Sequence, residues 1–453
     1  MTVAPGTVVP AARTSRTLRY RSANPIRSAV VATALPGRRT ATLTPRSHRA
    51  VAVRTLGEVF LVNQSLISRG RRTVRSVTNS LLRTAVVGVT GAGVGLLARA
   101  AWGLPTALGA TQGAISAVTS RSTRVVDGRF RNAQPAAPVE PMGVPSLLRA
   151  VITRGTLGRP SGPVRVATPA HPAVADQLAV TWYGHATVLI EVDGRRVLLD
   201  PVWSDRVSPS SLIGPKRLHP VPSSIAELPP LDVVVISHDH YDHLDHGTVT
   251  QLLERSAAPF VVPLGVGAHL RAWGVPHSRI VELEWGGRAR VRELTLTCTE
   301  ARHFSGRRLT RNNTLWASWV ITGPQHGVFF GGDTGYTPVF AEIGARYGPF
   351  NLTLLPIGAY DPHWPDIHMN PEEAVRAHGD LGGGLLVPIH WGTFNLAFHP
   401  WDEPVRRLLA AAGRDREYGT RVAVPMPGER FTVLDPPAVA RQWWTAPAPV
   451  PAT

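Results

Sequence analysis

The apolar run DVVVIS (232–237) is typical of a buried strand, and the letters HDHYDH follow it directly. In extended backbone, side chains two residues apart point to the same side, so His238 and His240 are expected to face one point. A turn then brings Asp242 and His243 to a second position. Imidazole and carboxylate ligands without thiolates suit zinc, iron or manganese. The pattern predicts a sheet strand that ends in a metal-binding loop, and the alternative is a solvated polar loop.

Three further residues of ligand type stand at the ends of other apolar runs. They are His303 after LTLTCTEA, Asp333 at the end of GVFFGGD, and His390 at the end of GLLVPIH. Taken singly, each has a structural alternative, either a hydrogen-bonded histidine or an aspartate that caps a turn. Taken together with the histidine-rich loop, they predict a site for two metal ions.

Short β-rich runs begin near residue 178 and alternate with helical stretches. A hairpin is predicted at Asp193-Gly194, and helices are predicted after Asp245, from Asn370 and over 402–412. This order favours sheets that are covered on the outside by helices. The predicted strands are 178–183, 186–192, 195–200, 232–237, 294–300, 315–321, 327–333, 352–357 and 384–390.

The net charge of +17 is concentrated near the N-terminus. Residues 1–150 hold 21 Arg and 3 acidic residues, whereas the remaining residues hold 27 basic and 28 acidic ones. Because the larger part of the chain is nearly neutral, no nucleic-acid partner is expected. The single cysteine excludes a disulfide framework and a cysteine-based zinc cage.

Four segments are predicted along the chain. Residues 1–125 form a basic, low-complexity arm that is disordered or, as an alternative, associated with a membrane, although the apolar stretch 84–98 is too short to span one. Residues 126–176 form an extended, proline-rich lead-in, 177–440 form the folded domain, and 441–453 form a disordered tail. We expect a cytoplasmic protein, with a peripheral position at the membrane as the alternative. The oligomeric state is left open.

The motif His-x-His-x-Asp-His with the three later residues resembles the metallo-β-lactamase superfamily. The flanking blocks resemble one branch, the N-acyl-phosphatidylethanolamine-hydrolysing phospholipase D family, from about residue 129 to residue 430. Residues 1–125 lie outside this resemblance. Its main blocks are WYGHATVLIEVDG (182–194), ELPPLDVVVISHDHYDHLD (227–245), FFGGDTGYTPVFAEIGARYGPF (329–350), LLPIGAYDPHW (354–364) and IHWGTF (389–394).

The resemblance implies an α+β fold, the four-layer αβ/βα sandwich, with two zinc ions per chain at one edge; iron and manganese are alternatives. The implied ligands are His238, His240 and His303 for one ion and Asp242, His243 and His390 for the other, with Asp333 bridging both.

The resemblance also implies roles for residues near the ligands. His185 and Asp200 are implied to contact the ligands, without binding metal themselves, and to orient them. His368 is implied to lie near the metals and to help the substrate or leaving group, and the alternative is a loop histidine with a structural hydrogen bond. Asp239 and His246 are interpreted as peripheral.

The activity implied by the resemblance is zinc-dependent hydrolysis of a phosphodiester, in which a hydroxide shared by the two ions attacks phosphorus while Asp242 and Asp333 fix that hydroxide. A phospholipid or another phosphodiester is the expected substrate, and phosphatidic acid and an N-acylethanolamine are the expected products. The apolar lead-in residues 142–152 are interpreted as a route to the lipid. Arg307 and Arg308 are interpreted as solvated charges, with contact to an anionic head group as the alternative.

Two other functions stay open. One is a metal-dependent lactonase, as in the related ascorbate-6-phosphate lactonase branch. The other is a non-catalytic binding protein tethered to a membrane. A zinc-dependent RNA-processing nuclease is disfavoured, because the chain beyond the arm has no net positive charge to offer phosphates.

Overall fold

The computed structural model describes residues 103–137, 142–417 and 419–445. Thirteen strands within these ranges form two sheets. The first sheet contains β1 (Leu178–Gly184), β2 (Thr187–Val192), β3 (Arg195–Leu199), β4 (Val233–Val235), β5 (Phe260–Pro263), β6 (Ile280–Leu283) and β13 (Arg430–Thr432). The second sheet contains β7 (Arg288–Val291), β8 (Leu294–Thr299), β9 (Ser318–Thr322), β10 (Gly327–Phe330), β11 (Phe350–Pro356) and β12 (Gly383–Ile389).

Both sheets are mixed. The first has the order β13-β1-β2-β3-β4-β5-β6, antiparallel as far as β3 and parallel from β3 to β6. The second has the order β12-β11-β10-β9-β8-β7, parallel from β10 to β12 and antiparallel elsewhere. The antiparallel early strands follow from short connections such as Asp193-Gly194. Both residues of that turn have positive φ, 49° and 78°, as the predicted tight hairpin requires.

Eight α-helices lie in the described ranges, and none of them combines the length and apolarity needed to span a bilayer. They are α1 (Leu104–Ala107), α2 (Gln112–Thr119), α3 (Val144–Arg154), α4 (His246–Arg255), α5 (Val266–Ala272), α6 (Val339–Tyr347), α7 (Pro371–Asp380) and α8 (Glu403–Arg414). Short 3-10 turns occupy Gly155–Gly158, Ile225–Glu227, His277–Arg279, Val439–Arg441 and Trp443–Thr445.

The main hydrophobic core lies between the two sheets, and its cluster extends to α6, α7 and α8. A second cluster joins the first sheet to α4 and α5. Strands with apolar layers on both faces carry continuous apolar runs, and β2 is buried at every position. The order of layers is therefore helix, sheet, sheet, helix, and the predicted four-layer α+β sandwich is confirmed.

The predicted helix starts are confirmed at two places. The Asp245 side chain accepts a hydrogen bond from the Thr248 backbone N–H at the start of α4. Asn370 and Glu373 form a reciprocal capping box at the start of α7, with Pro371 as its first residue. These caps fix where the chain leaves the loops that precede both helices.

The segments outside the sandwich differ in part from the prediction. The extended lead-in is wrong for Val144–Arg154, because a first-turn proline and apolar residues three and four apart favour a helix there. The disordered tail is wrong for Trp443 and Trp444, which are buried against Trp391. The predicted arm lies mostly outside the described residues, but its last part forms α1 and α2. The domain boundaries themselves stay predictions.

Candidate metal centre

Strands of both sheets end at one edge of the sandwich, and each carries a polar side chain just beyond its end. In the first sheet, β1 is followed by His185, β3 by Asp200 and β4 by the loop 238–243. In the second sheet, β10 leads to Asp333 and β12 to His390. This common edge brings together residues that are far apart in the sequence.

The potential ligand atoms fall into three overlapping groups, within each of which all atoms lie within 4.8 Å of one another. The groups are His238, His240, His303 and Asp333; His185, Asp242, His243 and His390; and Asp333, His368 and His390. All seven residues proposed as ligands are therefore brought together. The grouping differs from the implied ligand sets, because His185 joins the second group, Asp333 is not in that group, and His368 forms a third group with Asp333 and His390.

Asp333 occupies the centre of the cluster. Its Oδ2 lies 3.1 Å from Nε2 of His243 and 3.1 Å from Nε2 of His390. The same oxygen lies 3.9 Å from Nε2 of His238 and 3.7 Å from Nε2 of His303. One carboxylate thus reaches both main groups, which is the position expected of a bridging ligand.

Buried partners orient the imidazoles of the cluster. The Asp200 carboxylate, with no exposed surface, accepts hydrogen bonds from Nδ1 of His243 at 2.6 Å and from the Ser237 backbone N–H at 2.6 Å. Nδ1 of His303 donates to the Ile367 carbonyl at 2.8 Å. Because the Nδ1 atoms are engaged in this way, the Nε2 atoms of His243 and His303 are free to face the cluster.

His185 contacts the cluster directly. Its Nε2 lies 2.9 Å from Oδ2 of Asp242, and its ring centroid lies 4.0 Å from that of His390. The backbone also joins these residues, since the His390 N–H donates to the His185 carbonyl at 2.9 Å. His185 is thus placed to orient Asp242 and His390, and its role behind the ligands stays a prediction.

The backbone is unusual at three of these positions. His390, His185 and Asp200 have φ values of 60°, 53° and 37°, in a region of backbone conformation that residues other than glycine rarely adopt. A Cβ on Gly358 would lie 2.2 Å from the His390 carbonyl oxygen, so only glycine fits beside this turn. Such a backbone persists only where the surroundings enforce it, and it is concentrated here at the cluster.

The electrostatics of the cluster favour bound positive charge. Burial alone would raise the pKa of the Asp333 carboxyl, but His243, His390 and His368 hold it well below its usual value. Burial alone would lower the pKa of His390, but Asp333 and Asp242 raise it to about 9.

The side chains present fit metal ions. Oδ1 of Asp333 is buried and has no hydrogen-bond partner within the described ranges. Nε2 of His238 lies only 2.8 Å from Nδ1 of His240, so two nitrogens face each other where cation ligands would converge. A donor set of imidazoles and carboxylates without thiolate suits zinc, iron or manganese. The assignment of each ligand to a particular ion stays a prediction.

His368 lies between the cluster and a neighbouring cavity. Its Nδ1 is 3.9 Å from Oδ2 of Asp333, and the cavity that it lines has a volume of about 560 Å³. Tyr360, Glu403 and Arg407 also line this cavity. Burial lowers the pKa of His368 to about 4, with partial compensation from Asp333, so its imidazole is neutral at pH 7.

Three residues near the loop were interpreted from the sequence as peripheral or as solvated charges. Asp239 belongs to none of the three groups in the described chain, yet it is fully buried and accepts a hydrogen bond from the Thr314 hydroxyl. The interpretation of Arg307 as a solvated charge is wrong, because Arg307 is 5% exposed and donates hydrogen bonds to backbone carbonyls. His246, interpreted as peripheral, is the first residue of α4 and packs against Trp273.

Sequence reasoning missed Asn132. Its Nδ2 donates to the His303 carbonyl at 2.9 Å, and its Oδ1 accepts from the His303 backbone N–H at 3.0 Å. It stands more than 100 positions before the histidine-rich loop, with no periodic pattern around it. No signal in one sequence connects it with the cluster.

Comparisons with known proteins agree with this geometry. A model of the beta-lactamase superfamily domain matches residues 195–391. An uncharacterized protein of Mycobacterium tuberculosis is 57% identical over 356 residues, which are 77% of this chain and 94% of that protein. The N-acyl-phosphatidylethanolamine-hydrolyzing phospholipase D 1 of Caenorhabditis elegans is 39% identical over 244 residues, or 50% of this chain and 68% of that protein.

One solved structure with a similar chain is Igni18, a metallo hydrolase from the archaeon Ignicoccus hospitalis. It is 24% identical, the match covers 56% of this chain and 97% of that chain, and the TM-score is 0.44.

Proposed function

Since this chain belongs to the metallo-β-lactamase superfamily and is a metal-dependent hydrolase, we propose that it is a zinc-dependent phospholipase D. The proposed reaction hydrolyses the phosphodiester of an N-acyl-phosphatidylethanolamine to phosphatidic acid and an N-acylethanolamine. The observation that carries the proposal is the arrangement of two His/Asp groups around the single carboxylate of Asp333. The sequence identity with the nematode phospholipase supports the choice of substrate.

In this proposal the side chains of the cluster hold two zinc ions. His238, His240 and His303 would hold one ion, and Asp242, His243 and His390 would hold the other, with Asp333 within reach of both. Such ions would supply a water of lowered pKa, towards about 7, and would neutralise charge on phosphoryl oxygens.

The remaining residues of the site position the ligands and the leaving group. Asp200 holds His243 and His185 holds Asp242, so these two ligands keep one orientation. His368 stands at the boundary with the cavity of about 560 Å³. In the proposed reaction this cavity receives the leaving group, and the His368 imidazole donates a hydrogen bond to the leaving oxygen.

The exposed face of α3 supports a lipid substrate. Val144, Leu148 and Ile152 recur every four residues and are 69%, 55% and 75% exposed. Residues 142–160 contain three arginines and no acidic residue, which suits an anionic lipid surface. Arg154, at the end of α3, donates to Oδ1 of Asn395 at 2.8 Å, five positions after His390. We propose that this face lies on the membrane and brings the metal centre to its substrate.

A panel of hydrolase substrates tests the proposed activity. Full-length protein loaded with zinc is expected to release N-acylethanolamine from N-acyl-phosphatidylethanolamine vesicles, measured by mass spectrometry. The Asp333→Asn variant, purified in the same way, controls for contaminating hydrolases. Opening of a sugar-phosphate lactone without any lipid turnover would replace the phospholipase proposal by a lactonase. Zinc content well below two per chain would favour a non-catalytic binding protein.

The proposed role of α3 gives a separate prediction. The double variant Leu148→Ser, Ile152→Ser is expected to bind phosphatidylcholine–phosphatidylserine vesicles at least about tenfold more weakly, since two large apolar side chains are lost from the lipid contact. Cosedimentation measures this binding. Leu434→Ser removes an apolar side chain that is 95% exposed elsewhere on the surface, and this variant is expected to bind normally. Unchanged vesicle binding by the double variant would rule out α3 as the docking face.

A further inference from the structure

Residues 103–132, here called the brace, lie outside the residues matched by the superfamily model and carry α1 and α2. Ala110 and Ile115 of the brace are buried against Ala268 of α5. The brace is thus packed on the sandwich. Its polar contacts include the backbone of His303 and two side chains, His269 and Arg307, that themselves contact Asp239 in the histidine-rich loop.

The first contact runs through Asp239, the residue between His238 and His240. Its carboxylate accepts hydrogen bonds from the Gly306 backbone N–H at 2.7 Å and from the Thr314 hydroxyl at 2.8 Å. Nε2 of His269 lies 3.3 Å from the same carboxylate. The loop between the two histidines is therefore fastened through a side chain that belongs to none of the three ligand groups.

The brace completes this fastening through His269. Nδ1 of His269 accepts a hydrogen bond from the Ala110 backbone N–H at 3.0 Å, which leaves the ring proton on Nε2, facing Asp239. The preceding residue, Gly109, has φ of 68°, and a Cβ there would lie 2.3 Å from Nδ1 of His269. Only glycine allows the brace to approach this closely.

The second contact runs through the buried Arg307. Its Nη1 donates to the carbonyls of Asp239 at 2.8 Å and Leu244 at 2.7 Å, on either side of His240 and Asp242. Its Nη2 donates to the carbonyl of Ala107 in the brace at 2.7 Å. The same guanidinium group thus joins both ends of the histidine-rich loop to α1.

The third contact is made by Asn132 at the end of the brace. It pairs with both backbone groups of His303, and its Oδ1 also accepts from Nε1 of Trp316 at 3.0 Å. Asn132 of the brace therefore fixes the backbone of His303, while the Ile367 carbonyl fixes its ring.

From these contacts we infer that the brace sets the positions of His238, His240 and His303, and that Gly109 and Asn132 are positioning residues for the metal ion held there. The inference rests on the proposed two-metal site. The ligands proposed for the second ion are oriented by contacts that do not involve the brace. Asp200 orients His243, and His185 contacts Asp242 and His390. Loosening the brace should therefore weaken the binding of one ion and leave the binding of the other unchanged.

Two variants and two matched controls test this inference in the full-length chain. Gly109→Ala introduces the clash with His269, and Asn132→Ala removes both hydrogen bonds to His303. Gly128→Ala places a Cβ at φ of 72° with nothing within 4 Å, so it reproduces the backbone strain of Gly109→Ala without the clash. Asn351→Ala removes a backbone hydrogen bond to Gly327, at the opposite end of β11.

The readouts are zinc affinity by competition with a chelator, zinc content, and the visible spectrum of the cobalt-substituted protein. The wild type and both controls are expected to hold two ions. In Gly109→Ala and Asn132→Ala, the affinity for one ion is expected to fall by about 10–100-fold, with an altered cobalt spectrum, while the other ion is retained.

Three outcomes would overturn the inference. Unchanged affinities and spectra in Asn132→Ala would show that the brace does not position His303. Equal weakening of both ions in that variant would show general destabilisation instead of positioning. Fewer than two ions in the wild type would remove the two-metal site first, and that failure is visible before any variant is compared.

Discussion

Replacing Asp333 by asparagine is expected to lower turnover of N-acyl-phosphatidylethanolamine by at least about 10²–10³-fold while the fold is kept. Losses of this size follow when one preorganised electrostatic group is removed from an active site. Asparagine has nearly the same volume, but it lacks the charge with which Oδ2 reaches His243 and His390 at 3.1 Å. Initial rates measure turnover, and circular dichroism measures the fold.

Asp232→Asn is the matched control for this variant. Asp232 lies at the start of β4, at the opposite edge of the sheet, and pairs with Arg195 at the surface. It is expected to keep the wild-type rate. A rate for Asp333→Asn within a factor of about three of the wild type would contradict the central position that we assign to Asp333.

Removal of the metal ions is expected to abolish activity and to lower the thermal midpoint by roughly 10 °C or more. A ligand present at a thousand times its dissociation constant stabilises the folded state by about 4 kcal/mol. For a domain of this size, each kcal/mol shifts the midpoint by about 2–4 °C. Without the ions, the ligand atoms that face the centre of the cluster keep mainly one another as neighbours.

Dialysis against a chelator followed by scanning calorimetry measures this effect. Addition of zinc is expected to restore both the midpoint and the activity, whereas magnesium is expected to restore neither, because imidazole ligands suit zinc better. Equal midpoints and equal rates before and after chelation would count against a resident metal.

The sequence was most informative where a local pattern determines local structure. The alternation of His238 and His240 after an apolar strand predicted their common direction, and the strand ends predicted that Asp333 and His390 would lie nearby. Tight-turn and capping residues predicted the hairpin at Asp193 and the start of α7. These features depend on interactions within a few residues, so a single sequence contains them.

The features that were missed depend on contacts between distant parts of the chain. Arg307 has the composition of a surface charge, and only its three carbonyl partners explain its burial. The two tryptophans at 443 and 444 stand in a proline-rich end, and their burial depends on Trp391. Asn132 acquires its role from a backbone that is 171 positions away. Such pairings cannot be read from periodicity.

The common edge of the two sheets also bears on how the protein is made. The first sheet supplies the histidine-rich loop, whereas Asp333 and His390 come from strands of the second sheet. A growing polypeptide therefore has an incomplete set of cation-binding groups until the segment around residue 390 has left the ribosome and paired with its neighbours. The complete set of proposed metal ligands is thus available only late in biosynthesis, and a chain that stops short of β12 would lack His390 and could not form the finished centre.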